Sequence, residues 1–319
     1  MSRTAQHLDW SADVDQPALD DPQATARERR AFIERAVADA GADGVVVALT
    51  GDVDSAVVAA LAAEALGRES VRGLLPTTAG DADRADPKAD AFGDDAPGRR
   101  AATELGISAR QLDVAPYVEA LARTFSDDAT ALVGDRPGTG AASPAKDGDA
   151  ADADDRAPAV RRAVALCLGE LAAAVEASAA SRLVLGPGTR TSLVGAAPVR
   201  ASDPGADLLP LGDLYLSEVR ELGRHLGVPT PRADGPDADR RWFGPTATPD
   251  AALTVETVDA VLWKLLDDGA GIEQTAEALD IAPALVGRIA VRYARRVRRS
   301  EASASRATGE PRETDGGGD

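Results

Sequence analysis

Apolar and polar positions follow one another in blocks along the chain, and the period within each block predicts an element. Residues 1–21 are polar and acidic with no period and read as a mobile tail. From Pro22 to Ala40, the apolar positions Ala26, Phe32, Ile33, Ala36 and Val37 have the spacing of an amphipathic helix. Gly44 to Leu49 is a β-branched run of the kind buried in a parallel sheet. Thr50 to Ser55 form a turn, and Ala56 to Leu66 a helix ended by Gly67. Three more strands are expected: Val71–Leu75 closed by Pro76, Ser108–Val114, and Arg182–Leu185. Helices are expected at Arg99–Leu105, Pro116–Phe125 and Val160–Ala180. A further helix, Asp213–Leu226, has Asp213 as its N-cap, and another spans Val255–Asp267. Residues 272–299 pattern as two short helices around Asp280–Pro283.

Strands alternating with helices indicate an α/β fold, an open parallel sheet with helices on both faces. The expected organisation is a tail at 1–21, the α/β domain at 22–268, a helical hairpin at 269–299 and a disordered tail at 300–319. Residues 134–157, rich in Gly, Ala, Asp and Pro, read as a low-complexity insertion in that domain. Open parallel sheets bind ligands beyond the carboxyl ends of their strands, where the strand order switches. The loop after the first strand is therefore where chemistry is sought.

Composition narrows that chemistry. The chain has 319 residues, 44% of them hydrophobic and only 3% aromatic, so a core is affordable but must be built from Ala, Val and Leu. The single cysteine, Cys167, excludes an intramolecular disulfide framework and a Cys-based zinc cluster. Two histidines, His7 and His225, leave little for a Ser-His-Asp triad. Neither an apolar run of about 18 residues nor an apolar leader is seen, so a soluble, cytoplasmic protein without a membrane span is expected. The net charge is −18, Asp makes up more than two-thirds of the acids, and Lys occurs only at 88, 146 and 264. That make-up suits an extreme halophile, since strong salt screens self-repulsion; a basic ligand or partner is the alternative.

In the loop Thr50-Gly51-Asp52-Val53-Asp54-Ser55, a helix start follows a strand. Its N–H groups and the helix dipole favour an anion, Thr50 and Ser55 can donate to phosphate, and Asp54 can ligate a magnesium ion. An ordinary helix cap at Asp54 or Ser55 explains the same residues.

The loop resembles the pyrophosphate-binding loop of ATP-pyrophosphatases, Ser-Gly-Gly-x-Asp-Ser. Thr50, Gly51, Asp54 and Ser55 fit, while Asp52 occupies the second glycine. A carboxylate about 5 Å from a phosphate charge costs on the order of 3 kcal/mol at an effective dielectric near 20. The stretch 183–229 resembles the second signature region of ammonia-dependent NAD synthetases: Gly186, Gly188, Arg190 and Thr191 match its first piece, and Asp203 and Asp207 fall in register. Pro210-Leu211-Gly212-Asp213-Leu214-Tyr215 follows that pattern closely.

This resemblance implies a Rossmann-like, adenine nucleotide α-hydrolase-like sheet, usually in a homodimer. It implies ATP, with Mg2+, adenylating the nicotinate carboxylate of deamido-NAD, after which ammonia displaces AMP to give NAD. Thr50, Gly51, Asp52, Val53, Asp54, Ser55, Arg162, Gly186 and Arg190 would then bind ATP and pyrophosphate. Arg200, Asp203 and Asp207 would bind substrate, and Asp54 the metal; no protein nucleophile is required. Several ligand positions depart from the family. Ser192 replaces a metal-binding Glu, Thr189 an Asn, and Ala197-Pro198-Val199-Arg200 a Tyr-Phe-Thr-Lys. A lapsed or redirected paralogue, binding nucleotide or serving as a partner subunit, is therefore the alternative reading.

Residues 272–289, followed by Arg292, Arg295 and Arg296, also have the look of a DNA-binding helix-turn-helix. The same segment resembles ordinary synthetases, which favours a terminal hairpin packed on the catalytic body over a nucleic-acid partner.

Overall fold

The computed structural model describes residues 17–77, 97–114, 116, 172–193, 206–228 and 254–308. Among the described residues, four parallel strands form one sheet in the order β3-β2-β1-β4: β1 (Gly44–Ala48), β2 (Val71–Thr77), β3 (Ser108–Asp113) and β4 (Arg182–Leu185). Val47 of β1 lies opposite Gly73 of β2 and Leu185 of β4. All five residues of β1 are buried, because it is central and covered on both faces, which explains its unalternating apolar run. The chain adds strands on one side of β1 and then returns to its other side with β4, so the switch in strand order lies between β1 and β4.

The helices are α1 (Pro22–Ala40), α2 (Val53–Leu66), α3 (Pro97–Leu105), α4 (172–179), α5 (Leu216–His225), α6 (Val255–Leu266), α7 (Ile272–Ala278) and α8 (Pro283–Thr308). α1 starts at Asp21, whose side chain accepts the Ala24 N–H at 2.9 Å, and ends at Gly41 in the left-handed region. Ala26, Ile33 and Val37 are buried as the spacing predicts, while Phe32 stays 37% exposed. In α2 every residue from Val53 to Ala62 is buried. Gly223 of α5 permits part of this enclosure: a Cβ there would stand 3.1 Å from Val57 and 3.2 Å from Val53. On the sheet's opposite face, Ala173 and Ala177 of α4 pack on Val46, Leu74 and Val184. Helices thus cover both faces, as expected.

Several boundaries differ from the sequence expectation. Residues 17–21 are docked rather than mobile: Glu221 accepts the Leu19 N–H at 3.0 Å, and Ser217 donates to the Pro17 carbonyl at 3.3 Å. β2 runs through Pro76 to Thr77; β1 has ended opposite Leu74, so β3 alone flanks β2 there and the missing N–H is tolerated. Asp213 is not an N-cap. It pairs with Arg29 at 2.8 Å, and α5 begins three residues later, after tight turns that close Gly212 onto Leu209 and Leu214 onto Leu211. α8 continues to Thr308, through a stretch of Ala, Glu, Ser and Arg with no proline to stop it.

The hairpin α7–α8 turns through Asp280 at φ 50°. Its Leu285, Val286 and Ile289 belong to the same apolar cluster as Val258, Val261 and Leu262 of α6. The shared core favours the packed-hairpin reading. Among the described residues, no helix is long and apolar enough to cross a membrane. The expected helix at 116–125 apart from Pro116, residues 160–171 of the expected helix Val160–Ala180, and the insertion at 134–157 lie outside the described residues.

Candidate functional site

Two loops leave the carboxyl ends of β1 and β4 side by side at the switch point, the place where open parallel sheets bind ligands and so the candidate cleft. The first is Thr50–Ser55. Gly51 takes φ 84°, and a Cβ there would come 3.2 Å from Pro97. Gly98 is closer still: its Cβ would stand 2.6 Å from the Leu49 carbonyl oxygen. The start of α3 therefore presses against the end of β1 and forms a wall of the cleft. Sequence reasoning missed this wall, although the Pro-Gly pair at 97–98 carries the signal of a helix start at close quarters.

Within the loop, Asp52 is the N-cap residue of α2 by backbone geometry but makes no side-chain capping bond. Its carboxylate accepts from Thr50 Oγ1 at 3.2 Å, so the extra anion is half-buried and turned back onto the loop. Thr50 Oγ1 also lies 3.4 Å from Ser55 Oγ, which donates to the Asp52 carbonyl at 2.9 Å. Asp54 is 1% exposed, and its Oδ1 accepts the Ser55 N–H at 2.8 Å. Val53 is an apolar contact of α2, buried in the core cluster. The six residues expected to form a phosphate cup are thus brought together at a helix N-terminus, with their hydroxyls bonded to one another.

The second loop follows β4. The Gly186 N–H donates to the Leu208 carbonyl at 2.9 Å, and Asp207 Oδ2 accepts the Val184 N–H at 2.7 Å. Gly186 and Asp207 therefore hold residues 206–208 along β4. Ser192, only 2% exposed, and Thr189, 3% exposed, bond each other four times, the Ser192 N–H also reaching the Thr189 carbonyl at 3.1 Å. Ser192 Oγ donates to the Thr189 carbonyl at 2.6 Å and accepts its N–H at 3.0 Å, while Thr189 Oγ1 accepts the Ser192 N–H at 3.2 Å. The two substituted positions are coupled into one closed turn.

Arg190 and Thr191 reach across to α6. Arg190 donates to both oxygens of Asp267, at 3.0 and 2.9 Å, and its guanidinium lies 5.2 Å over the Tyr215 ring. The Tyr215 hydroxyl also bonds to Asp267. The Arg190 cation expected on phosphate is thus engaged by a carboxylate. Burial alone would lower its pKa, yet the bonds to Asp267 and Tyr215 hold it above the ordinary range. Burial raises the Tyr215 hydroxyl, reinforced by Asp267. Burial would raise Asp267 too, but the Tyr215 and Arg190 bonds bring it below the ordinary carboxylate value.

Thr191 Oγ1 donates to Asp259 Oδ1 at 2.5 Å and accepts the Leu216 N–H at 2.8 Å. Asp259 Oδ2 accepts the Ser217 N–H at 2.8 Å. Asp259 is fully buried, and burial pushes its carboxyl up to about 7, against the bonds from Thr191 and Ser217 and with help from Glu256. Burial also raises Glu218, which accepts the Tyr215 N–H at 2.7 Å. Asp259 and Asp267 support the loop without having been disclosed by local sequence pattern, whereas Tyr215 lies in the Pro210–Tyr215 stretch already singled out.

Among the described residues, no three His, Cys, Asp or Glu side chains cluster as a metal cage. The cup carries two carboxylates, Asp52 turned back onto Thr50 and Asp54, and one carboxylate completed by phosphate oxygens and water is an ordinary magnesium set, so Asp54 fits an ion carried by a triphosphate. Arg162, Arg200 and Asp203 lie outside the described residues. A groove of about 450 Å³ between α6 and α8, walled by Leu262, Leu266, Tyr293 and Val297, is apolar and contains none of the candidate residues.

The comparisons with known proteins give the family and agree with the fold. A family model described as NAD synthase matches residues 25–136 and 171–301. The chain is 33% identical to an NH(3)-dependent NAD(+) synthetase of Hyperthermus butylicus, over 84% of this chain and 85% of that one. It is 30% identical to the protein of the same name from Halobacterium salinarum, over 82% and 85%. Among solved structures, the NH3-dependent NAD synthetase from Campylobacter jejuni has a TM-score of 0.56 at 17% identity, covering 87% of this chain and 95% of that one.

Proposed function

The chain belongs to the NAD synthase family, and from that premise we propose that it makes NAD from deamido-NAD, ATP and ammonia. A nicotinate carboxylate oxygen attacks the α-phosphorus of ATP, and pyrophosphate leaves. Ammonia then attacks the carbonyl carbon of the mixed anhydride, and AMP leaves. No side chain need become covalently attached, so the protein's task is positioning and charge neutralisation. The observation that carries this reading is the cup Thr50–Ser55 at the β1/β4 switch point, closed on one side by the start of α3.

In this reading the N–H groups of the first turn of α2, with Thr50 and Ser55, receive the leaving pyrophosphate, exchanging their present mutual bonds for phosphate oxygens. Asp54 would hold Mg2+, which would supply charge neutralisation on the phosphates. Arg162 and Arg200 add cations, and Asp203 orients the substrate. Arg190 and Asp207 act indirectly, through Asp267 and β4. The acidic, Lys-poor composition supports work at high salt, and a metabolic enzyme of this family would act in the cytoplasm. A homodimer follows from the family resemblance and is tested by light scattering in that salt.

A second reading, a member that binds nucleotide without turnover, is favoured by the Asp52 anion and by the closed Thr189–Ser192 turn. The deciding experiment measures NAD formation from deamido-NAD, ATP, Mg2+ and ammonia in multimolar KCl, with ATP binding followed by equilibrium dialysis. Ammonia-dependent NAD formation is the expected result. ATP binding without NAD formation selects the second reading, and absence of both defeats the nucleotide site. Restoring the family residues requires Asp52→Gly with Thr189→Asn and Ser192→Glu together, since Ser192→Glu alone drives a carboxylate into a buried turn.

A further inference from the structure

We propose that α6 braces the loop after β4, and that Asp259 is a positioning residue for the cleft. The chemistry being positioned rests on the synthetase reading; the bracing itself rests on geometry. Two consecutive loop residues are held by α6 and its C-cap. Thr191 is tied to Asp259 in the helix body, and Arg190 to Asp267 at the C-cap, eight residues on. Eight residues of helix span about 12 Å, so the two ties lie far enough apart to resist rotation of the loop as well as translation.

The same carboxylate reaches a third segment. Asp259 Oδ2 takes the Ser217 N–H while Thr191 Oγ1 takes the Leu216 N–H, so the first turn of α5 is fixed by the same pair of side chains. A buried carboxylate is an expensive way to fill space, because desolvation opposes its charge. A leucine would pack at lower cost, but it could not accept two directed hydrogen bonds from separate elements. What Asp259 supplies is direction, and the loop it directs leaves β4 beside β1, whose own loop is the cup Thr50–Ser55. The charged group that faces it is Glu256, one turn earlier on α6, which is paired with Arg220 of α5.

The test uses the full chain in multimolar KCl with three variants: Asp259→Asn, Thr191→Val and Thr191→Ser. Asp259→Asn and Thr191→Val are expected to speed hydrogen exchange in residues 189–193 and 216–217, leaving Val45–Ala48 protected. They are expected to lower kcat about tenfold, the scale of a small misplacement of reacting groups, with little change in KM for ATP. Thr191→Ser, which keeps the hydroxyl, restores both readouts. Unchanged exchange in the loop, or faster exchange spread equally to β1, overturns the brace. So does an unchanged kcat in Asp259→Asn and Thr191→Val when the wild type turns over. Should the wild type neither bind ATP nor form NAD while the loop still responds locally, the synthetase reading falls and the brace stands.

Discussion

Asp259→Asn is expected to flatten the dependence of stability on pH between about 5 and 8. In the folded protein, burial raises the carboxyl from 3.8 to about 7, opposed by the Thr191 and Ser217 bonds and assisted by Glu256. The unfolded chain titrates near 3.8. Between these values the native state retains a proton that the unfolded state has released, so stability falls as pH rises. The contribution is complete below 3.8 and is lost as pH passes through 7. Each pH unit in that window corresponds to about 1.4 kcal/mol, so raising the pH from 5 to 8 removes roughly 3 kcal/mol. Asp259 has no exposed surface, so added salt screens little of this effect. The raised Glu218 gives a slope of the same sign in both proteins and cancels in the comparison. The lowered Asp267 stabilises above the ordinary carboxylate value, and that contribution fades only in more acid solution. Urea unfolding of wild type and variant at pH 5, 6, 7 and 8, at one KCl concentration, measures the difference. The variant is expected to gain about 3 kcal/mol on the wild type across the series. A difference that stays constant with pH refutes the reasoning.

Two further outcomes follow from the cup. Asp52→Gly removes an anion from the phosphate site and is expected to tighten ATP binding about a hundredfold, most strongly in low salt. Equilibrium dialysis against ATP at several KCl concentrations checks this, and an unchanged affinity would show that the carboxylate is not felt there. Gly98→Ala forces a Cβ toward the Leu49 carbonyl, 2.6 Å away, and is expected to cost about 1–3 kcal/mol in urea unfolding through overpacking. An unshifted unfolding midpoint would mean that α3 moves aside without loss.

The strands were legible in the sequence because local signals and tertiary need agree. The run Gly44–Ala48 is apolar at every position, as a central strand requires, and the cup follows it directly. α1 was equally legible, with Asp21 before Pro22 and Gly41 after Ala40. The N-cap assigned to Asp213 failed because a distant residue competes for that side chain: Arg29 lies 184 positions away. The pairing of Arg190 with Asp267, 77 positions further on, is equally beyond the reach of local pattern. Thr191 and Asp259 are 68 apart, beyond any helical or strand period. Contacts of this length set the loop after β4, and only folding reveals them.

The enclosure of α2 has a consequence for how any anion is received. Ten consecutive residues from Val53 are shut in by their neighbours, so the first turn is aimed before a ligand arrives. Its dipoles need no rearrangement when negative charge enters, which lowers the reorganisation cost of binding. Choice among anions is thereby left to the side chains on the rim, where a single substitution can retune affinity without disturbing the frame beneath.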